Sequence, residues 1–186
     1  MTRQWEEFKS RALSKLSYAR EHNLADEKIF YLLDYINSKE GYVTTSSCSG
    51  RILLLAKGPS KKETYMYKKW HDKATTNSVV DAINSYDGPY PLYYKVDPFI
   101  LHIVAKTPEH AHVILRICKN AGLKRFGMQL MRNFYLIEIQ GTDKLEFPIA
   151  LCNCNMDEVV GLSNSLLERT WSRTKLFYLS AQETLK

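Results

Sequence analysis

The sequence predicts an α+β fold: one compact domain of mostly hairpin-linked strands with flanking helices. Three observations carry this. Both ends of the chain place apolar residues at helical spacing, and the middle alternates short apolar runs with turn residues. No Gly-x-Gly-x-x-Gly or P-loop follows a first strand, as a doubly wound nucleotide fold requires. With 186 residues, 45% of them hydrophobic and 25% charged, the chain suits a single domain over 1–186 that buries a substantial core.

The elements follow in order. Trp5, Phe8, Ala12, Leu13, Leu16 and Ala19 recur at helical spacing and predict an amphipathic helix over 3–21. A second helix over 26–38 has Ile29, Phe30, Leu32, Leu33 and Ile36 as its apolar face, so helices fill 3–38. The mixed α/β core spans 41–152. It opens with a strand, a polar turn and a second strand over 41–56. Gly58-Pro59-Ser60-Lys61-Lys62 reads as a hairpin loop, and Thr64 to Lys69 as a half-buried strand. Thr76 or Asn77 caps a helix over 77–86, which Asp87-Gly88-Pro89-Tyr90-Pro91 ends. Leu92 to Lys95 and Phe99 to Ala105 read as strands. Thr107-Pro108-Glu109 is a helix start, and Gly122 its left-handed stop. Strands follow near 123–131, 133–140 and 144–152. Asn155 then caps a last helix over 156–180. A strand, a glycine-bearing turn and an apolar strand occur at 42–55 and again at 123–139, an echo of the kind an internal duplication leaves.

The net charge is +6 and the pI about 9.0, which favours an anionic partner, nucleic acid first. No apolar run reaches bilayer length, and Met1 to Ser10 lacks a signal-peptide core, so a cytoplasmic protein without membrane contact is expected. Cys48, Cys118, Cys152 and Cys154 give no disulfide framework. Cys152-x-Cys154 alone is not a zinc site, and no metal is expected.

The most unusual stretch runs from Gly41 to Ile52. Thr45 to Ser49 are five consecutive hydroxyl or thiol residues, followed by Gly50, Arg51 and an apolar strand. Such a loop on a rigid strand holds donors in fixed positions, and Arg51 grips a carboxylate or phosphate bidentately. The bland alternative is a strand end where Ser and Thr satisfy their own backbone. Cys48 raises the question of a nucleophile, with His71 or His102 as base. The two residues between Cys48 and Arg51 are too few for a phosphatase loop. His102 points with Ile100 and Val104 in an alternating strand, so a core histidine is the first expectation and a pocket histidine the sharper one. Lys57, Lys61, Lys62, Lys68, Lys69 and Lys73 either track a nucleic-acid backbone or form a solvated hairpin.

Thr44-Thr-Ser-Ser-Cys-Ser-Gly-Arg-Ile52 resembles the signature of the tRNA wybutosine-synthesizing protein 3 family, most closely its archaeal single-domain members. The resemblance continues through Lys69-Trp-His71, Pro98-Phe-Ile-Leu-His-Ile-Val104 and the helix holding Ala111. It extends to Ala121-Gly-Leu-Lys124 and Leu145-Glu-Phe-Pro148, covering residues 5–150 in the family's order. One place departs: Arg125-Phe126-Gly127-Met128 stands where the family usually has a serine before its glycine, which leaves backbone donors near Gly127. The resemblance implies a methyltransferase using S-adenosylmethionine. Its acceptor is a ring nitrogen of the tricyclic wyosine-type base next to the anticodon of phenylalanine tRNA, so tRNA is the implied partner. The implied cofactor-binding residues are Ser46, Ser47, Cys48, Ser49, Gly50 and Gly127, and the implied catalytic residues His71, His102 and Arg51, all around one pocket. A non-catalytic RNA-binding module and a cysteine hydrolase remain the alternatives from the residues alone.

Overall fold

Fifteen elements make up the computed structural model, which describes residues 2–186. Helix α1 (Thr2–Glu21) is followed by a 3-10 turn, Glu27–Ile29, and helix α2 (Phe30–Ser38). Strands β1 (Tyr42–Cys48), β2 (Arg51–Ala56) and β3 (Tyr65–Trp70) lead to α3 (Thr76–Asn84). Then come β4 (Leu92–Asp97), β5 (Ile100–Ala105), α4 (Pro108–Asn120), β6 (Arg125–Met131), β7 (Phe134–Gln140) and β8 (Leu145–Pro148). A 3-10 turn, Ile149–Leu151, precedes the long helix α5 (Met156–Thr184). The α+β class is as the sequence predicts. Among the described residues, no helix is long and apolar enough to cross a membrane.

The chain divides into two units. The first comprises the residues up to Ser49, Phe99–Thr142 and Ser172–Lys186; the second comprises Gly50–Pro98 and Asp143–Trp171.

In the first unit, four antiparallel strands run in the order β1-β5-β7-β6. One face buries Leu101, Ile103, Ile137 and Ile139 against α2, α4 and the end of α5, through Leu33, Ile114, Phe177 and Ala181. On the other face Val43, Val104, Phe134 and Leu136 pack on α1, where Trp5 is fully buried. The Trp5 indole N–H donates to the Glu40 carbonyl at 2.9 Å, satisfying the ring's one polar atom. Period-two alternation thus fills both sides of this sheet, with helices as covers.

In the second unit the order is β3-β2-β4-β8, again antiparallel. Ile52, Leu54, Tyr94 and Val96 pack against Val79 and Ala82 of α3 and against Val160 and Leu167 of α5. The buried Tyr94 hydroxyl donates to Ser163 at 2.8 Å. Strand β3 lies at the edge, where exposed Lys68 and Lys69 keep other chains from adding to it.

Two sequence expectations are corrected. Strands β1 and β2 do not form a hairpin; each belongs to a different sheet. The echo at 123–139 is a true hairpin, β6 with β7, whose turn is Arg132-Asn133 while Gly127 lies inside β6. The two segments therefore share a pattern and not a structure. Smaller shifts have local causes. Thr75 caps α3, its hydroxyl accepting from the Ser78 N–H at 3.3 Å, one residue before the predicted cap. Strand β8 stops at Pro148, beyond which the backbone turns 3-10. The caps at Thr107 and Asn155 and the left-handed Gly122, φ 68°, stand as predicted.

Candidate functional site

The hydroxyl-rich stretch is the end of β1, and its residues meet different fates. Thr44 is buried: its N–H donates to Asn37 Oδ1 at 2.8 Å, and Asn37 Nδ2 donates to its hydroxyl at 2.9 Å. This pins β1 to the end of α2. Between Thr44 and Ser46 the pairing register with β5 shifts by one residue, so Thr45 bulges out of the ladder. Bulges re-aim side chains, and this one places Ser46 opposite His102.

Ser46 therefore begins a row across the sheet. Ser46 pairs with His102, His102 with Glu138, and Glu138 with Gly127. Residues directly opposite in antiparallel strands share a face, so these four lie side by side. His102 Nε2 stands 3.6 Å from Glu138 Oε1. The His102 side chain is 27% exposed and borders a cavity of about 480 Å³ with Gly127, Glu138, Lys124 and Gln140. This corrects the core-histidine expectation: α1 covers only the half of this face around Val43, Val104 and Leu136. At Gly127 an added Cβ would meet nothing within 4 Å, so the missing side chain keeps that space open.

Ser47 and Cys48 are half-buried opposite Leu101 and Ile100. Ser46 and Ser47 also border a second cavity, of about 450 Å³, beside α1. Ser49 is 1% exposed, and both its donors are committed to one carboxylate. Its N–H reaches Asp26 Oδ2 at 2.9 Å, and its hydroxyl donates to the same oxygen. Ser49 thus fixes the loop; the donors that face open space are its neighbours'.

In the second unit, Gly50 has φ +101°, which L side chains rarely adopt. A Cβ there would lie 3.0 Å from Thr170 Cγ2 and 3.1 Å from the Asp97 carbonyl oxygen. Glycine is required for the turn and for this close approach. Arg51 opens β2 opposite Asp97 of β4, and its Nε and Nη2 donate to Asp97 Oδ2 at 3.4 Å each. Asp97 also holds Lys95 at 3.0 Å, and Lys95 stands 3.7 Å from Glu146. Arg51 is thereby oriented while 27% of its side chain stays exposed, and its five donors exceed what one carboxylate takes up. His71 is half-buried directly after β3.

The structure thus brings Ser46, His102 and Gly127 onto one face of the first sheet, and places Gly50, Arg51 and His71 in the second unit. Asp26, Glu138 and Asp97 escape sequence reasoning, because each matters through a pairing distant in the chain. Glu138 leaves one trace, a lone carboxylate inside the apolar run of β7. The lysines of the 57–73 segment divide. Lys57 pairs with Glu146 at 3.7 Å and lies over the Tyr93 ring, and Lys73 pairs with Glu168. Cys118 is buried, its thiol pushed up to about 12 by desolvation, which makes it inert. Cys152 and Cys154 place their sulfurs together, Cα atoms 5.2 Å apart.

The family model Methyltransferase TYW3 matches residues 7–183. The chain belongs to the TYW3 methyltransferase family. A TYW3 relative from Thermococcus sibiricus, a tRNA(Phe) 7-((3-amino-3-carboxypropyl)-4-demethylwyosine(37)-N(4))-methyltransferase, is 33% identical over 171 residues, covering 87% of this chain and 86% of its own. The tRNA wybutosine-synthesizing protein 3 homolog of Danio rerio is 26% identical over 98% of this chain and 76% of its own. The PH1069 protein from Pyrococcus horikoshii superposes with a TM-score of 0.86 at 28% identity, covering 96% of each chain. The TYW3 model takes in the entire Thr44–Ile52 motif, both sheets and nearly all of α5.

Proposed function

We propose that this chain transfers a methyl group from S-adenosylmethionine to N4 of a 4-demethylwyosine-type base at position 37 of tRNA(Phe). The observation that carries this is the family membership together with the 33% identical relative of that printed activity, aligned over most of both chains. S-adenosylmethionine, when bound, would supply an electrophilic sulfonium methyl: the N–C bond to the ring nitrogen forms as the C–S bond breaks, and the neutral thioether is the leaving group. The nitrogen's proton must leave in the same reaction.

The residues fit these demands. The space kept open at Gly127 and the exposed hydroxyls of Thr45 and Ser46 offer a cradle with polar contacts. His102, with Glu138 beside it at 3.6 Å, is the acceptor for the departing proton, and the carboxylate stabilises the imidazolium that forms. Arg51, oriented by Asp97, is the grip for a carboxylate or phosphate. Cys48 takes no covalent part. The fold orients the reactants, and the sulfonium carries the chemistry.

The test is methyl transfer from labelled S-adenosylmethionine to precursor tRNA by the purified protein. No transfer to correct precursor sinks the proposal. Arg51→Ala should lose activity by about two orders of magnitude, the size of a lost oriented charge contact, while its circular dichroism stays native. Undiminished turnover would remove Arg51 from the site. Calorimetric titration with S-adenosylmethionine separates an enzyme from a passive RNA binder, which would give no heat.

A further inference from the structure

The cavity beside α1 shares Thr45 and Ser46 with the cradle above, yet the rest of its lining plays no part there and is chemically one-sided. Arg11 and Lys15 come from α1, and Arg132 from the β6–β7 turn. Thr45, Ser46 and Ser47 add hydroxyls, and no carboxylate lies among the described residues that line it. Arg11 and Lys15 sit at i and i+4 on one helix face, a like-charge pair that weakens a helix slightly. Arg132 has φ 58°, a left-handed conformation that costs a non-glycine residue energy, in a turn where glycine or asparagine is usual. Three cations are thus assembled at a local energetic cost, and none forms an ion pair among the described residues; Arg11 Nε donates only to the Glu7 carbonyl, at 3.2 Å. The groove also has an apolar side, with Leu24 72% exposed at its rim.

Resting on the tRNA reading above, we propose that this groove holds the sugar-phosphate backbone of a looped RNA strand, that of the nucleotides next to the modified base. Arg11, Lys15 and Arg132 contact successive phosphates of that strand. Leu24 and Phe8 give an apolar surface for an unstacked base. The charge is complementary to a polyanion and to no apolar or basic partner. The placement is also purposeful. Ser46 belongs both to this groove and to the row with His102, so a strand seated here delivers its neighbouring nucleotide to that row.

The experiment uses the full chain with Arg11→Gln, Lys15→Gln and Arg132→Asn combined, and precursor tRNA followed by fluorescence anisotropy over a salt series. The expected result is a tRNA Kd raised on the order of tenfold or more, with the salt slope reduced by about 2, from three contacts at about 0.7 each. The KM for tRNA rises while kcat and S-adenosylmethionine affinity hold. Arg132→Asn alone, at a position asparagine tolerates, gives a smaller loss with the melting temperature kept, which guards against a folding defect in the triple variant. Unchanged tRNA affinity and slope in an actively methylating variant would overturn the groove assignment and leave the function standing. So would a loss of S-adenosylmethionine affinity in place of tRNA affinity. A wild-type protein that neither binds nor methylates the tRNA takes down both.

Discussion

Single residues in the Thr44–Ile52 motif divide their labour in ways their identities alone do not reveal. Gly50 is there for shape: its φ is +101° and Thr170 and the Asp97 carbonyl crowd the place a Cβ would occupy. Gly50→Ala should lower unfolding free energy by about 2–4 kcal/mol, combining backbone strain with overpacking, measured as a shift in the urea midpoint at constant slope. An alanine variant of wild-type stability would contradict the close approach. Ser49 is equally structural, because Asp26 takes both its donors. The motif stands out in the sequence because five hydroxyl or thiol residues precede a glycine and an arginine. Which of them face open space was not legible. That depends on Asp26, Asn37 and Asp97, whose nearness is set by folding across 23, 7 and 46 residues.

Elements signalled locally were read well, and those defined by distant pairing were not. Helix α4 is the clearest case of the first kind: Thr107, Pro108 and Gly122 mark its limits by hydrogen-bonding and backbone preferences that need no tertiary context. Thr107→Ala should cost about 1 kcal/mol, seen as a modest fall in melting temperature with methyl transfer intact at lower temperature. The hydroxyl's second contact, with His110 Nδ1 at 2.9 Å, raises that figure if anything. Strands β1 and β2 are the opposite case. Only one residue, Gly50, separates Ser49 from Arg51, and such a short joint looks like a hairpin turn in one dimension. Their partners, β5 for one and β3 with β4 for the other, decide the matter. The bulge at Thr45 was hidden for the same reason, since a register shift exists only relative to a partner strand.

At the scale of the molecule, each unit has its own sheet and its own buried cluster, and the sequence offers no linker to announce the division. The chain passes between units at four points, so composition never changes over a long stretch. Alkaline stability involves the cores of both units, because burial raises the Tyr94 hydroxyl in the second as well as groups in the first. Burial pushes the Cys118 thiol and the Tyr42 hydroxyl up to about 12 from ordinary values of 9.0 and 10.0. Above those ordinary values the unfolded chain releases protons that the folded chain retains, so stability falls with pH. The contribution is whole below about pH 9 and is lost as the pH climbs towards 12. Melting temperature should therefore decline across pH 9–12, and Tyr42→Phe together with Cys118→Ala should flatten that decline. An equally steep decline in the double variant would place its origin elsewhere.

Helix α5 has one more consequence, which concerns the order in which the chain is made. Its first turns supply Val160 and Leu167 to one core, and its last supply Phe177 and Ala181 to the other. A ribosome delivers these residues after every strand of both sheets. The first sheet's strands are complete by Gln140, yet their core waits for a helix end that emerges some 40 residues later. Completion of that core is therefore held back until Phe177 and Ala181 emerge, and a nascent chain halted before Phe177 would carry an open, apolar sheet face that invites chaperones.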